Sequence, residues 1–259
     1  MTKFFTLFLL LVSITSIRTA DAAVSKDPTE KKKILFICTS SPTFNATPNG
    51  TFLSELAVPF ILFHELGYEI DIVSPQGGAI PIYYKFDTTE ILWRALKSSY
   101  YQNKITHSLK PQQVKPKNYT AVILPGGYGQ FVDVHSNAAL NNIIRDIYAN
   151  NGFIGTLGHG ASSLVHVKDQ QGQWLVKGKT LTCFPTWFEK EIMSEANHGE
   201  LLPFDMEVEL QKKGADLKQV QKNGANKDVV DAPHRLVTTA FSDGGEFVVT
   251  SLHQLIIKQ

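Results

Sequence analysis

GFIGTLGHGASSL (Gly152–Leu164) joins a short apolar run to a glycine, a histidine and a second glycine, then to a stretch of small and apolar residues. Gly152 to Leu157 reads as a buried strand, and ASSLVHV, from Ala161, reads as the first turns of a buried helix. The residues between them make a sharp strand-to-helix elbow. In many α/β folds such an elbow lifts a nucleophile to the top of the sheet, beside free backbone N–H groups. Here the apex is Gly158, which has no side chain.

Upstream of the elbow, NAALNNIIRDIYANNG is a helix with a terminal Asn-Gly stop, and AVILPGG (Ala121 to Gly127) is a strand running into a glycine turn. KILFIC (Lys33 to Cys38) and YEIDIVSP supply two earlier strands. Between them TFLSELAVPFILFHELG is an amphipathic helix ended by Gly67, and another helical pattern covers TTEILWRALKSSYY. Downstream come TLTC, a helix from about Trp187, PFDMEVELQKKGA, and two further runs, LVTTA and EFVVTSL, read as strands. This alternation predicts an α/β fold, a doubly wound, mostly parallel, flavodoxin-like sheet with helices on both faces in a single domain. Ligands of such sheets bind beyond the carboxyl ends of the strands. That edge collects Cys38, Gly126, Gly127, Gly158, His159 and the residues after Thr182.

The 259 residues suit one larger single domain, and a formal charge of +1 with a basic run only at Lys31 to Lys33 gives no footprint for nucleic acid or a membrane surface. Lys3, the apolar FFTLFLLLVSITSI and Ala20-Asp21-Ala22 form the three parts of a secretory leader. The expected division is therefore a leader over residues 1–23, a polar linker over 24–32, and the folded domain over 33–259, outside the cytoplasm, secreted or periplasmic, with no membrane span left after cleavage. Cys38 and Cys183 are the only cysteines, and both a single long-range disulfide and two buried thiols fit them. Asn45, Asn49 and Asn118 begin sequons that would be surface sites in a eukaryotic secretory pathway.

GTLGHG lacks the spacing of a phosphate loop, and GASSL lacks the second glycine of a serine elbow. The histidines and cysteines show no ligand spacing, so neither a metal nor a cofactor is expected. Some residues near the elbow have ordinary structural readings. Thr186-x-x-Glu189 is a capping box, His159 alone could be a core histidine, and Gly126-Gly127 could be a tight turn. Glu55 lies among Leu53, Leu56, Ala57 and Val58; if buried, desolvation keeps it protonated at neutral pH.

In order and spacing, NGTFLSELAVPF, GYEIDIVSPQGG, AVILPGGYGQFVDV, GTLGHGASSL, TLTCFPTWFEKE and LPFDMEVELQKKGA resemble the ThiJ/PfpI family of the class I glutamine amidotransferase-like superfamily, in particular its glutathione-independent glyoxalases with chaperone-like relatives. The resemblance runs from about Lys33 to Thr250. It implies a triad in which a Cys at the elbow is the nucleophile, His159 its base, and Glu189 the acid, with Glu191 as fallback. It also makes Glu55 a pocket glutamate, and gives Gly126 and Gly127 oxyanion-hole amides with Tyr128 beside them, where chaperone-like relatives carry His. Gly158 stands at the Cys position and Ala161 at a usual Pro. The tail SLHQLIIKQ departs from the family's Gly-Gln-Asn-Pro-like segment and closing helix, so one pocket wall is expected to be altered or missing.

Two functions follow from the resemblance. One is a degenerate, stress-related binding protein for a small carbonyl-type molecule or a protein client, with a homodimer left open. The other is an active lyase or hydrolase converting methylglyoxal to lactate through His159 and a carboxylate, or through Cys183 as a relocated thiol.

Overall fold

In β1 (Lys33–Ile37) four of five residues are wholly buried, as a central parallel strand covered on both faces requires. The computed structural model describes residues 31–84, 89–195 and 202–259. The expected leader, and the linker up to residue 30, lie outside the described residues. After β1 come α1 (Leu53–Glu65), β2 (Glu69–Val73), α2 (Glu90–Lys97), α3 (Ser99–Thr106), β3 (Tyr119–Leu124), α4 (Ala138–Ala149) and β4 (Phe153–Leu157). A 3-10 helix over Gly158–Leu164 follows β4. The remaining elements are α5 (Thr186–Glu195), α6 (Met206–Lys212), β5 (Asp228–Asp231), β6 (Leu236–Thr239) and α7 (Gly245–Ile257).

The six-stranded sheet runs β5-β6-β4-β3-β1-β2. Every neighbouring pair is parallel except β5 with β6. Chain order reverses between β1 and β3, so the crevice at their carboxyl ends is the switch point where such sheets bind ligands. Leu56 and Phe60 of α1, Tyr101 of α3 and Leu252 of α7 cover one face. Leu140 and Ile144 of α4, Leu164 of the elbow helix and Leu210 of α6 cover the other. The fold is thus doubly wound, flavodoxin-like and mostly parallel.

Several expectations are corrected. EFVVTSL is the body of α7, not a strand: Val248, Val249, Leu252 and Ile256 are buried at helical spacing, which a short apolar window does not separate from a strand. This helix packs on α1 and β4, so the chain carries a closing helix after all and that wall is not missing. TTEILWRALKSSYY makes two helices, because Ser98 is extended and its hydroxyl accepts the Tyr101 N–H at 3.3 Å, capping α3. The segment after the elbow is a 3-10 helix rather than the start of an α-helix. Strand β5 has no counterpart in the expected elements; its DVVD pattern is short and flanked by charge. Cys38 and Cys183 are both free and buried, which removes the disulfide alternative. Asn45 and Asn118 are exposed, but Asn49 is buried and no surface sequon.

Candidate active site

At the end of β4 the backbone turns through Gly158 with φ +51°, a left-handed angle that a Cβ disfavours. Glu55, in the first turn of α1, reaches the same point from the side. Its Oε2 accepts the Gly126 N–H at 2.7 Å. A Cβ built on Gly158 would lie 2.8 Å from Glu55 Oε1 and 3.0 Å from Oε2, and one on Gly126 would lie 2.5 Å from Oε2. The carboxyl is therefore held between two glycines and fills the space that a side chain at the elbow would enter.

Burial pushes the Glu55 carboxyl up to about 7, although the charge on His159 and the Gly126 N–H pull the other way. Near neutrality it is divided between acid and carboxylate. The expectation of a free Gly126 amide for an oxyanion is corrected here. The structure commits that amide to Glu55, because a buried carboxyl needs a donor.

His159 is buried at the start of the 3-10 helix, and its Nε2 lies 2.6 Å from Glu189 Oε2. The other oxygen of Glu189 accepts the Tyr128 hydroxyl at 2.8 Å. One carboxylate thus joins an imidazole from the elbow to a phenol from the glycine turn. Burial alone would lower His159, but the charge and hydrogen bond of Glu189 outweigh it and raise the imidazole above its ordinary pKa. Burial likewise opposes the Glu189 anion, yet His159 and Tyr128 hold it below the usual carboxylate range. The directions agree on an imidazolium–carboxylate pair.

No capping box forms. The Glu189 N–H goes to the Pro185 carbonyl at 3.0 Å, while the Thr186 hydroxyl donates to Asp205. Glu191, the fallback acid, is exposed and pairs with Lys222 at 3.1 Å. Cys183 is buried at 1% exposure, and burial, with the charges of Glu207 and Asp205, raises its thiol well above the usual range.

Of the groups that set the imidazole in place, sequence reading named Tyr128 and missed Phe184, Phe131, Ser163 and Gln130. Phe184 and Tyr128 pack tilted against His159 at centroid distances of 4.6 and 4.8 Å, and Phe131 meets it edge-on at 5.6 Å. Beneath them the Ser163 hydroxyl donates to Gln130 Oε1 at 2.7 Å, and Gln130 Nε2 donates to the Pro125 carbonyl at 2.7 Å, tying the elbow helix to the glycine turn. A serine and a glutamine 33 residues apart carry no local signal of that contact.

The chain belongs to the DJ-1/PfpI family, whose signature matches residues 44–202. It is 25% identical over 205 residues to a glutathione-independent glyoxalase of Schizosaccharomyces pombe, covering 75% of this chain and 80% of that one. It is 27% identical over 167 residues to a Saccharomyces cerevisiae protein of the same description, covering 59% and 68%. Among solved structures it resembles the Rapid Encystment Protein 24 KDa of Francisella tularensis, with TM-score 0.76, 28% identity and coverage of 87% and 99%. It shares the fold of glyoxalase III from Candida albicans, with TM-score 0.70, 22% identity and coverage of 87% and 96%.

Proposed function

We propose that this glyoxalase III-like member of the DJ-1/PfpI family is a thiol-independent protein that binds a small carbonyl compound at the elbow and does not attack it covalently. The observation that carries this reading is the position of Glu55. Its carboxyl stands where a side chain on Gly158 would be, and both cysteines are buried with thiols raised far above neutrality. A thiolate is the nucleophile in cysteine chemistry; at Cys38 only Thr51 offsets desolvation, and at Cys183 the charges of Glu207 and Asp205 oppose the anion further. A carbonyl oxygen entering the crevice meets the acid form of Glu55 as donor and the imidazolium of His159 beyond it, a setting for polar recognition of an uncharged ligand. Carriage by the leader to an extracytoplasmic compartment is part of the same proposal, and the mass of the native amino terminus tests it.

A second reading is favoured by one observation, the Glu55 carboxyl poised near 7, where a general acid–base group is most effective. In it, methylglyoxal enters as its hydrate. Glu55 takes the C1 proton, the resulting enetriol is protonated at C2 by the Glu55 acid just formed, and lactic acid leaves with the water oxygen in its carboxyl group.

Purified protein is incubated with methylglyoxal, with binding followed by calorimetry and lactate by chromatography, before and after iodoacetamide. Saturable binding with lactate at the uncatalysed level supports the first reading. Turnover that survives iodoacetamide and is lost in Glu55→Gln establishes the second, whereas turnover abolished by iodoacetamide overturns both.

A further inference from the structure

Two histidines with no part in the elbow chemistry meet at the surface behind it. His135 follows the π-helical turn Gln130–Val134, and His166 follows the elbow helix by two residues. Their Nδ1 atoms are 3.1 Å apart. The rings tilt at 44° with centroids 5.0 Å apart, and Phe204 packs on them at 5.2 and 6.4 Å, fixing both from one side. His166 is exposed and His135 half-buried, so the pair is open to solvent.

A metal–imidazole bond of about 2.0–2.1 Å places two ligating nitrogens about 2.9 Å apart at a right angle and about 3.3 Å apart at the tetrahedral angle. The observed separation falls between these. Glu209, close enough to sense His166, adds negative potential but is engaged by Lys212 at 2.7 Å. Among the described residues no group of three or more His, Cys, Asp or Glu closes a full cage.

We propose that His135 and His166 form an open two-imidazole site for a divalent first-row cation such as copper(II), nickel or zinc, with water in the remaining positions. Imidazole is the side chain these ions favour, and copper(II) binds most strongly in the series. The site joins the segment after the Gly126-Gly127 turn to the segment after the elbow, so an ion there clamps together the two strips of chain that carry Tyr128 and His159. It is independent of how the elbow is used.

A hydrogen bond between two neutral rings gives a similar distance, and metal titration separates the two. Copper(II) is titrated into the purified protein, followed by calorimetry and by electron paramagnetic resonance, and Tm is recorded with and without zinc chloride. The proteins are the parent, His135→Gln, His166→Gln and the control His107→Gln, which alters an exposed histidine elsewhere. The expected result is one copper with nitrogen coupling in the parent and control, an affinity loss of about tenfold or more in each of the other variants, and a zinc-dependent rise in Tm confined to parent and control. Equal affinity in all four, or a parent that binds no copper and gains no stability from zinc, overturns the site. If His135→Gln does not fold, the surface variant His166→Gln decides alone.

Discussion

The tips of β1 and β4 lie on the same edge of one sheet and have opposite chemistry. At the first, Cys38 is a thiol with 0% exposure, which burial pushes up to about 12. At the second there is no thiol, but a carboxyl, an imidazole, a carboxylate and a phenol are linked within hydrogen-bond reach or pressed against the glycine. Both tips are buried, so burial is not what separates them. The difference is whether charge has a partner: Cys38 has only Thr51 to offset desolvation, while His159 and Glu189 stabilise each other. A place at the carboxyl edge therefore supplies access to a site, and the partners supply the reactivity.

The strongest way to break this comparison is to remove the partner. Glu189→Ala leaves the buried His159 and the half-buried Tyr128 hydroxyl without their acceptor, and taking one member from a buried pair costs about 3–5 kcal/mol. Glu191→Ala removes a surface partner of Lys222 and is expected to cost under about 1 kcal/mol. Urea melts of the two variants measure both. Similar losses would mean that the pair at the elbow is not the organised one.

Next in size is a pH effect dominated by Glu55. An ordinary carboxyl of this type titrates at 4.5 and the folded one at about 7. Between those values the folded state keeps a proton that the unfolded state has released, so stability falls as pH rises through the window and levels off above it. At about 1.4 kcal/mol per unit the total is a few kcal/mol. Glu55→Gln abolishes this slope, and the difference between parent and variant, followed by melts from about pH 4 to 8, isolates it. His159, also raised, loses its own contribution as pH rises through its folded pKa in both proteins, somewhat smaller in the variant, where the Glu55 charge no longer supports the imidazolium.

A smaller effect tests why the elbow apex is glycine. At φ +51° a Cβ adds strain of about 1–3 kcal/mol, against about 0.4–1 kcal/mol of favourable unfolded-state entropy. Contact with Glu55 adds to the strain. Gly158→Ala and Gly158→Cys are each expected to lose about 1 kcal/mol or more. Combining Gly158→Ala with Glu55→Ala returns part of that loss, because the shortened side chain clears the space, and a double-mutant cycle reads the coupling. A more stable Gly158→Ala would leave the elbow unstrained.

The parallel core was legible because strands buried on both faces are near-continuous apolar runs separated by glycine-marked turns, as in KILFI and YTAVIL. The closing helix was not, because Phe247, Val248, Val249 and Thr250 are aromatic and β-branched residues that suit a strand, and so short a window does not resolve the helical period. At the site, His159, Glu55 and Glu189 could be named from their motifs, but motif position does not say where a lone pair goes. That Thr186 turns to Asp205 and releases Glu189 toward His159 depends on the residue that caps α6, 19 residues further on. Only tertiary packing decides between the capping box and the pair.

The smallest expected effect is none at all, and it returns to the tip of β1. Iodoacetamide reacts with thiolate, and an ordinary thiol near pKa 8.5 supplies about a few per cent of it at neutral pH. Cys38 and Cys183, each almost wholly shielded and raised well beyond that range, supply essentially none until the fold opens. In the parent, mass spectrometry should find neither alkylated under native conditions and both alkylated in denaturant, with native labelling no faster than global unfolding. Gly158→Cys sharpens the contrast by adding a thiol to the other tip, beside an imidazolium that favours thiolate and a Glu55 carboxyl that opposes it. Labelling of this introduced thiol ahead of the two native ones would show that the β4 tip still supports a charged sulfur where the β1 tip does not. Should Cys183 label as fast as the introduced thiol, the apolar seal over it opens readily, and the relocated-thiol function regains its standing.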